Sequence, residues 1–190
     1  MKKTDLLDLA DITKDTTSHN NKFIYSDSIN NYINHLISLP NLTITEELIC
    51  QLHTLLFQSK NPELAGKYRT GNARNIPDYF SFPEHSQIPH FMSHLINQMN
   101  TSASIYHPIE YAAICNKRII DISPFTIGNY EVALLLTNII LAKSGYSMIT
   151  IDNSNKSIYE KVLFESQTTN LFNIDDLILF FIQTVINSQK

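Results

Sequence analysis

Residues 119–134, IIDISPFTIGNYEVAL, form a loop with polar side chains between two apolar, helix-like segments. Ser123–Pro124 ends the first segment, since a residue before proline avoids helical angles, and Gly128–Asn129 precedes the second. A helix N-terminus at such a turn attracts anions, which suits phosphate chemistry. A reactive serine needs a neighbouring base, yet the only charged side chains here are Asp121 and Glu131. The stretch therefore has the layout of an active-site turn without histidine, lysine or arginine.

The rest of the chain reads as helices that position this turn. Apolar residues recur at helical spacing over about 28–39, 43–58, 89–100, 108–122, 128–143, 154–167 and 174–188. The sequence TITE at 43–46 predicts a capping box that starts its helix at Thr43. Residues 66–89 contain two glycines and three prolines, which favours loops with one weak β-hairpin. We predict an all-α fold of six to seven helices with a small hairpin flap, a flexible segment over 1–25 and a single domain over 26–190.

Composition limits the classes of function. The 190 residues carry a net charge of −4 and include only three arginines, so neither nucleic acid nor an anionic membrane is an expected partner. Cys50 and Cys115 are too far apart for a metal-ligand motif, and we expect no metal site. Aspartates interrupt the N-terminal apolar residues, so no conventional signal peptide is predicted. We expect a cytoplasmic protein, or a bacterial effector that is secreted without such a peptide.

Residues 107–151, HPIEYAAICNKRIIDISPFTIGNYEVALLLTNIILAKSGYSMITI, resemble the core of the Fic/Doc family, whose motif is H-x-F-x-[DE]-G-N-G-R-x-x-R. Upstream, GKYR at 66–69 resembles the Gly-x-x-Arg that precedes the family's hairpin flap. The resemblance implies a small helical fold that transfers AMP, or another phosphate-containing group, to a hydroxyl of a target protein. It also implies a histidine base, an acidic Mg²⁺ ligand, a Gly-Asn-Gly anion hole, arginines on the phosphates, and a flap that docks the target as an added strand.

The motif is only partly present in this chain. Three positions match, Phe125, Gly128 and Asn129, and the last two would form a vestigial anion hole. The other positions are replaced: the histidine by Ser123, the carboxylate by Ile127, the second glycine by Tyr130, and the arginines by Glu131 and Leu134. An isoleucine offers no oxygen to Mg²⁺. Two like charges about 4 Å apart repel by roughly 4 kcal/mol at an effective dielectric of 20, so Glu131 opposes a bound phosphate.

The leading hypothesis is a catalytically degenerate Fic-like protein that needs no cofactor and acts by binding or regulating a protein. The aromatic residues of the flap region, Tyr79, Phe80 and Phe82, are the candidate partner-binding surface, because an exposed edge can accept a peptide strand.

Two alternatives remain open. One is a divergent transferase that uses ATP and Mg²⁺ and takes its base from His85, His90, His94 or Glu131. The other is a helical binding module without Fic-type activity, to which Lys67, Arg69 and Arg74 would contribute a weak basic patch.

Overall fold

The computed structural model describes residues 2–12, 25–74, 80–168 and 174–188. Over these ranges the chain forms eight α-helices and a 3-10 turn at His85–Gln87. The helices are α1 (Lys3–Ile12), α2 (Asp27–Ser38), α3 (Glu46–Phe57), α4 (Ile88–Ser102), α5 (Pro108–Ile122), α6 (Asn129–Lys143), α7 (Lys156–Thr168) and α8 (Asp175–Ser188). The all-α prediction is confirmed. Between described residues the β-type pairing is one isolated antiparallel bridge, Tyr68–Phe125, so the hairpin is not seen there; residues 75–79 lie outside the described ranges.

Seven of the helices begin and end within three residues of their predicted bounds. The prediction of a capping box at Thr43 is wrong, because α3 begins at Glu46 and its N-cap is Thr45. The Thr45 hydroxyl accepts a hydrogen bond from the Leu48 N–H at 3.0 Å, which satisfies one of the free donors of the first turn. The extended backbone of Thr45 is the conformation that a cap requires, so the N-cap lies two residues later than the pattern suggested.

The first helix, α1, was not anticipated, since a flexible segment was expected over 1–25. Its apolar side chains Leu6, Leu7 and Ala10 are buried, and the helix packs against α8. Lys3 forms an ion pair with Glu110 of α5 at 2.9 Å, which links α1 to the body of the protein. Residues 13–24 lie outside the described ranges.

Helix α6 is the centre of the fold, and its contact with α5 is the most extensive between any two helices of the described chain. Apolar side chains cover almost its whole circumference, as predicted for a buried helix. Its two buried polar side chains, Thr137 and Asn138, are satisfied. The Thr137 hydroxyl accepts from Asn116 of α5 at 3.1 Å, and Asn138 donates to the Ile149 carbonyl at 3.0 Å. None of the helices in the described ranges is long and apolar enough to cross a membrane. The packed α5–α6 pair thus holds the 123–128 loop at one end.

Candidate functional site at the α5–α6 loop

Ser123 is the residue that the predicted motif alignment places at the position of the base. Its backbone is left-handed, with φ 48° and ψ 61°, the one positive φ of a non-glycine residue in the described ranges. The Ser123 N–H donates to the Ile119 carbonyl at 2.9 Å and closes α5. Its hydroxyl accepts a hydrogen bond from Asn129 Nδ2 at 2.9 Å. The hydroxyl therefore faces an amide donor, which cannot take a proton from it.

Asn129 closes the loop from the first residue of α6. Its Oδ1 accepts the Phe125 N–H at 2.9 Å, and its Nδ2 donates to the Phe125 carbonyl at 2.9 Å as well as to Ser123. These bonds use both ends of the amide and fix its orientation. The asparagine that matches the motif thus has a clear architectural task, which is to hold the turn between α5 and α6.

Gly128 is the N-cap of α6 and has φ +76°, a region that L side chains rarely adopt. A Cβ on this residue would lie 2.1 Å from Cε2 of Phe57, which is closer than atoms can approach. The backbone angle favours glycine at this position, and a side chain here would also require the Phe57 ring to move. The space next to Gly128 is filled by that ring.

His53, which the sequence analysis did not single out, lies directly beneath the loop and is fully buried. Its Nδ1 accepts the Gly66 N–H at 2.9 Å, so Nε2 carries the proton and donates to the Ile127 carbonyl at 3.1 Å. The ring stacks on Phe125 at 4.0 Å and on Phe57 at 4.9 Å. Burial lowers the pKa of His53, only partly opposed by the bond to Ile127 and by the charge of Glu131. A histidine on the apolar face of α3, beside Ile49 and Leu52, was the signal available in the sequence.

Arg69 joins the loop to the segment that precedes α4. It is buried, and its guanidinium donates to three carbonyls, those of Ser123 at 2.8 Å, Gly71 at 2.9 Å and Pro83 at 2.5 Å. Its backbone N–H donates to the Pro124 carbonyl at 2.9 Å. Burial lowers the pKa of Arg69. Arg69 is therefore engaged by backbone and does not contribute to the surface patch suggested with Lys67 and Arg74.

The remaining motif positions present no cation to the site. Ile127 is half-buried, and Leu134 packs against the core. Tyr130 is 51% exposed, with its ring 6.5 Å from that of Tyr159. Burial, and then the charges of Glu160 and Asp121, raise the pKa of Tyr130. Glu131 is exposed in the first turn of α6, so the charge next to the helix N-terminus is negative.

Two of the three predicted flap residues lie within the described ranges. Phe80 and Phe82 are half-buried and pack edge to face at 5.0 Å, whereas Tyr79 lies outside the described residues.

The three histidines proposed as replacement bases make their contacts away from Ser123. The backbone N–H and Nδ1 of His85 both bond to Asn72 Oδ1, at 2.9 and 3.0 Å; the ring of His90 lies beside Phe91; and His94 lines a cleft next to α5. No hydrogen bond between described residues links any of them to Ser123. Among the described residues, no group of three or more His, Cys, Asp or Glu side chains could hold a metal ion.

Known proteins are similar to this chain in sequence and in fold. A model of the Fic/DOC family matches residues 43–141, just over half of the chain. The protein adenylyltransferase Fic of Aedes aegypti is 26% identical over 143 residues, which cover 73% of this chain and 28% of that protein. The chain thus spans less than a third of the length of that relative.

Solved structures agree with the family match. A Fic domain containing signaling protein from Bacteroides thetaiotaomicron superposes with a TM-score of 0.75 at 26% identity, covering 85% of this chain and 66% of the other. IbpAFic2, solved covalently tethered to Cdc42, has the same fold with a TM-score of 0.62 at 14% identity, covering 98% of this chain and 63% of the other. The family match includes α3, α4, α5, the loop and most of α6, which are the elements that build the site. The chain belongs to the Fic/DOC family.

Proposed function

We propose that this chain is a catalytically degenerate member of the Fic/DOC family that acts by binding or regulating a protein partner. The observation that carries the proposal is that the polar groups of the loop are bonded to one another. The Ser123 hydroxyl is bonded to Asn129, the Asn129 amide to Phe125, and the Arg69 guanidinium to backbone carbonyls. None of these groups is placed to take a proton or to bind a phosphate.

The residues present do not fit Mg²⁺ and a nucleotide. Ile127 stands where the family resemblance implies a carboxylate, and it offers no oxygen to a hard cation. Glu131 stands where an arginine is implied, and its charge would repel a phosphate about 4 Å away by roughly 4 kcal/mol at an effective dielectric of 20. The first-turn N–H groups of α6 attract an anion, but Glu131 already supplies a negative charge there.

The flap region is the proposed contact with the partner. Phe80 and Phe82 form an aromatic pair whose members are each half-buried, so neither residue is fully covered by the described chain. IbpAFic2 was solved tethered to the protein Cdc42, and we propose a protein as the class of partner for this chain as well. An extended segment of the partner would add to the flap as a strand.

Calorimetric titration of ATP with MgCl₂ into the protein tests the loss of nucleotide binding, and we expect no measurable heat of binding at micromolar concentration. The matched variant Ser123→His/Ile127→Asp/Glu131→Arg restores three of the five replaced motif side chains and should bind ATP more tightly than the native protein. Micromolar binding of ATP to the native chain would refute the proposal.

The second candidate is a divergent transferase that moves AMP from ATP to a protein hydroxyl and releases pyrophosphate. It is supported by the similarity to protein adenylyltransferases and by the matching residues Phe125, Gly128 and Asn129. Incubation with labelled ATP and a cell lysate decides between the two candidates. The transferase would be established by three results together. Label appears with the native protein, it is lost in Glu131→Ala, and it persists in the control Glu165→Ala.

A further inference from the structure

A groove runs along the junction of α4 and α5. Two cavities of about 640 and 230 Å³ meet there and share Leu95, Ile114 and Arg118 as lining residues. The segment between the two helices, called the α4–α5 groove, is lined by Phe91, Leu95, Gln98, Tyr106, Ile114 and Arg118. None of these residues belongs to the 123–129 loop, and the larger cavity extends from them to Phe80 and Pro83 of the flap region.

Apolar side chains make up the floor and both ends of the groove. Leu95 is buried at the floor and Ile114 is half-buried beside it. Phe91 is 39% exposed at one end, and Tyr106 is 45% exposed at the other. Partly exposed aromatic side chains that flank an apolar floor are typical anchor positions of protein–protein contacts.

The available charge in the groove is positive. Arg118 is exposed, and its guanidinium makes one long hydrogen bond, to Gln98 Oε1 at 3.4 Å. Asp121 is the only carboxylate among the lining residues that the structure describes. That carboxylate is neutralised by Lys117 at 2.6 Å and also accepts from Gln167 at 3.0 Å. A partner with a carboxylate opposite Arg118 complements this surface, in a protein whose overall charge is negative.

We propose that the α4–α5 groove binds an amphipathic helix of a partner protein, with apolar side chains on Leu95 and Ile114 and an Asp or Glu facing Arg118. The walls of the groove are helices, whose backbone groups are already bonded within each helix. A partner here must satisfy its own backbone, which a helix does and an extended strand does not. The distance along α4 from Phe91 to Ser102 is about 17 Å at 1.5 Å per residue, which accommodates about three helical turns.

The test uses the full chain and a displayed library of 16-residue amphipathic helical peptides. We expect selected peptides to carry apolar residues at positions i, i+3, i+4 and i+7 together with an acidic residue. Arg118→Glu should weaken their binding about tenfold or more, and replacing the acidic residue of the peptide by lysine should restore binding to that variant. Phe91→Ser should weaken binding without any change of charge. The control Lys161→Glu, on α7 with a side chain 71% exposed, should leave binding unchanged.

Three results would overturn the proposal. The first is that selection yields no peptide that binds. The second is that the selected peptides bind Arg118→Glu and the native protein with the same affinity. A dimer of twice 21.8 kDa in light scattering, dissociated by Arg118→Glu, would show instead that a second copy of the chain covers the groove. The proposal does not rest on the loss of catalysis, so ATP calorimetry and peptide selection can fail independently.

Discussion

Replacement of Gly128 by alanine tests the description of the loop most directly. The residue has φ +76°, and a Cβ would lie 2.1 Å from Phe57 Cε2 and 2.3 Å from its Cζ. The left-handed backbone costs an L residue roughly 1–2 kcal/mol, and overpacking typically costs about 1–3 kcal/mol. Gly128→Ala should therefore lower the free energy of unfolding by about 2–5 kcal/mol, a large part of the 5–15 kcal/mol that is typical of a domain.

The assay is urea unfolding followed by circular dichroism at 222 nm, supported by thermal melting. For a chain of this size, 2–5 kcal/mol corresponds to a midpoint lower by about 4–20 °C. Gly71→Ala is the matched control, because a Cβ there meets no atom within 4 Å and its φ is not in the left-handed region. That variant should change stability by no more than about 0.5 kcal/mol.

A double-mutant cycle with Phe57→Ala separates the two causes. Without the ring, Gly128→Ala should cost only the backbone term, about 1–2 kcal/mol. An equal cost in both backgrounds would show that the ring contact is not responsible. If Gly128→Ala costs no more than Gly71→Ala, the loop conformation described here is wrong.

Three further predictions concern the groups that hold the loop. The folded protein keeps His53 neutral by lowering its pKa, so its contribution to stability is complete above about pH 6.5 and is lost as the pH falls toward the lowered value. The free energy of unfolding should therefore decrease from pH 8 to pH 5.5, and it should decrease less steeply in His53→Gln. An unchanged slope in His53→Gln would contradict the burial argument. Arg69→Lys should lower the free energy of unfolding in urea by about 2–4 kcal/mol, because lysine cannot reach three carbonyls at once. A loss below about 1 kcal/mol would contradict the structural role of Arg69. Asn129→Ala should lower the free energy of unfolding by about 1–3 kcal/mol in the same assay. Asn129→Asp should lower it less, because it keeps the acceptor for the Phe125 N–H.

The sequence was sufficient to predict most of the helices and the position of the loop. The apolar spacing of α6 identified the central helix, and Ser123–Pro124 marked the end of α5. The resemblance to Fic proteins, which rested on Phe125, Gly128, Asn129 and the order of the helices, is confirmed by the family match. These features are local, since helical periodicity and turn residues act over a few positions of the chain.

Helix α1 was missed because its own pattern is weak. Aspartates separate its apolar residues, and Leu6, Leu7 and Ala10 are buried only through packing against other helices, chiefly α8, more than 160 residues away in the sequence. Short helices are marginal in isolation, so such a segment becomes helical through tertiary contact. The replacement bases suggested for the site, His85, His90 and His94, could likewise not be placed from the sequence.

By itself, the sequence determined the chemical identity of the loop: a serine, an isoleucine and a glutamate where the family resemblance implies a base, a metal ligand and an arginine. Only the tertiary structure decided how the loop is held. It brings His53 from α3 under Ile127, and it directs the Arg69 guanidinium to a carbonyl 54 residues away. The physical reason is that buried polar groups must find partners wherever the fold brings them close, and those partners lie too far along the chain for any local pattern to reveal.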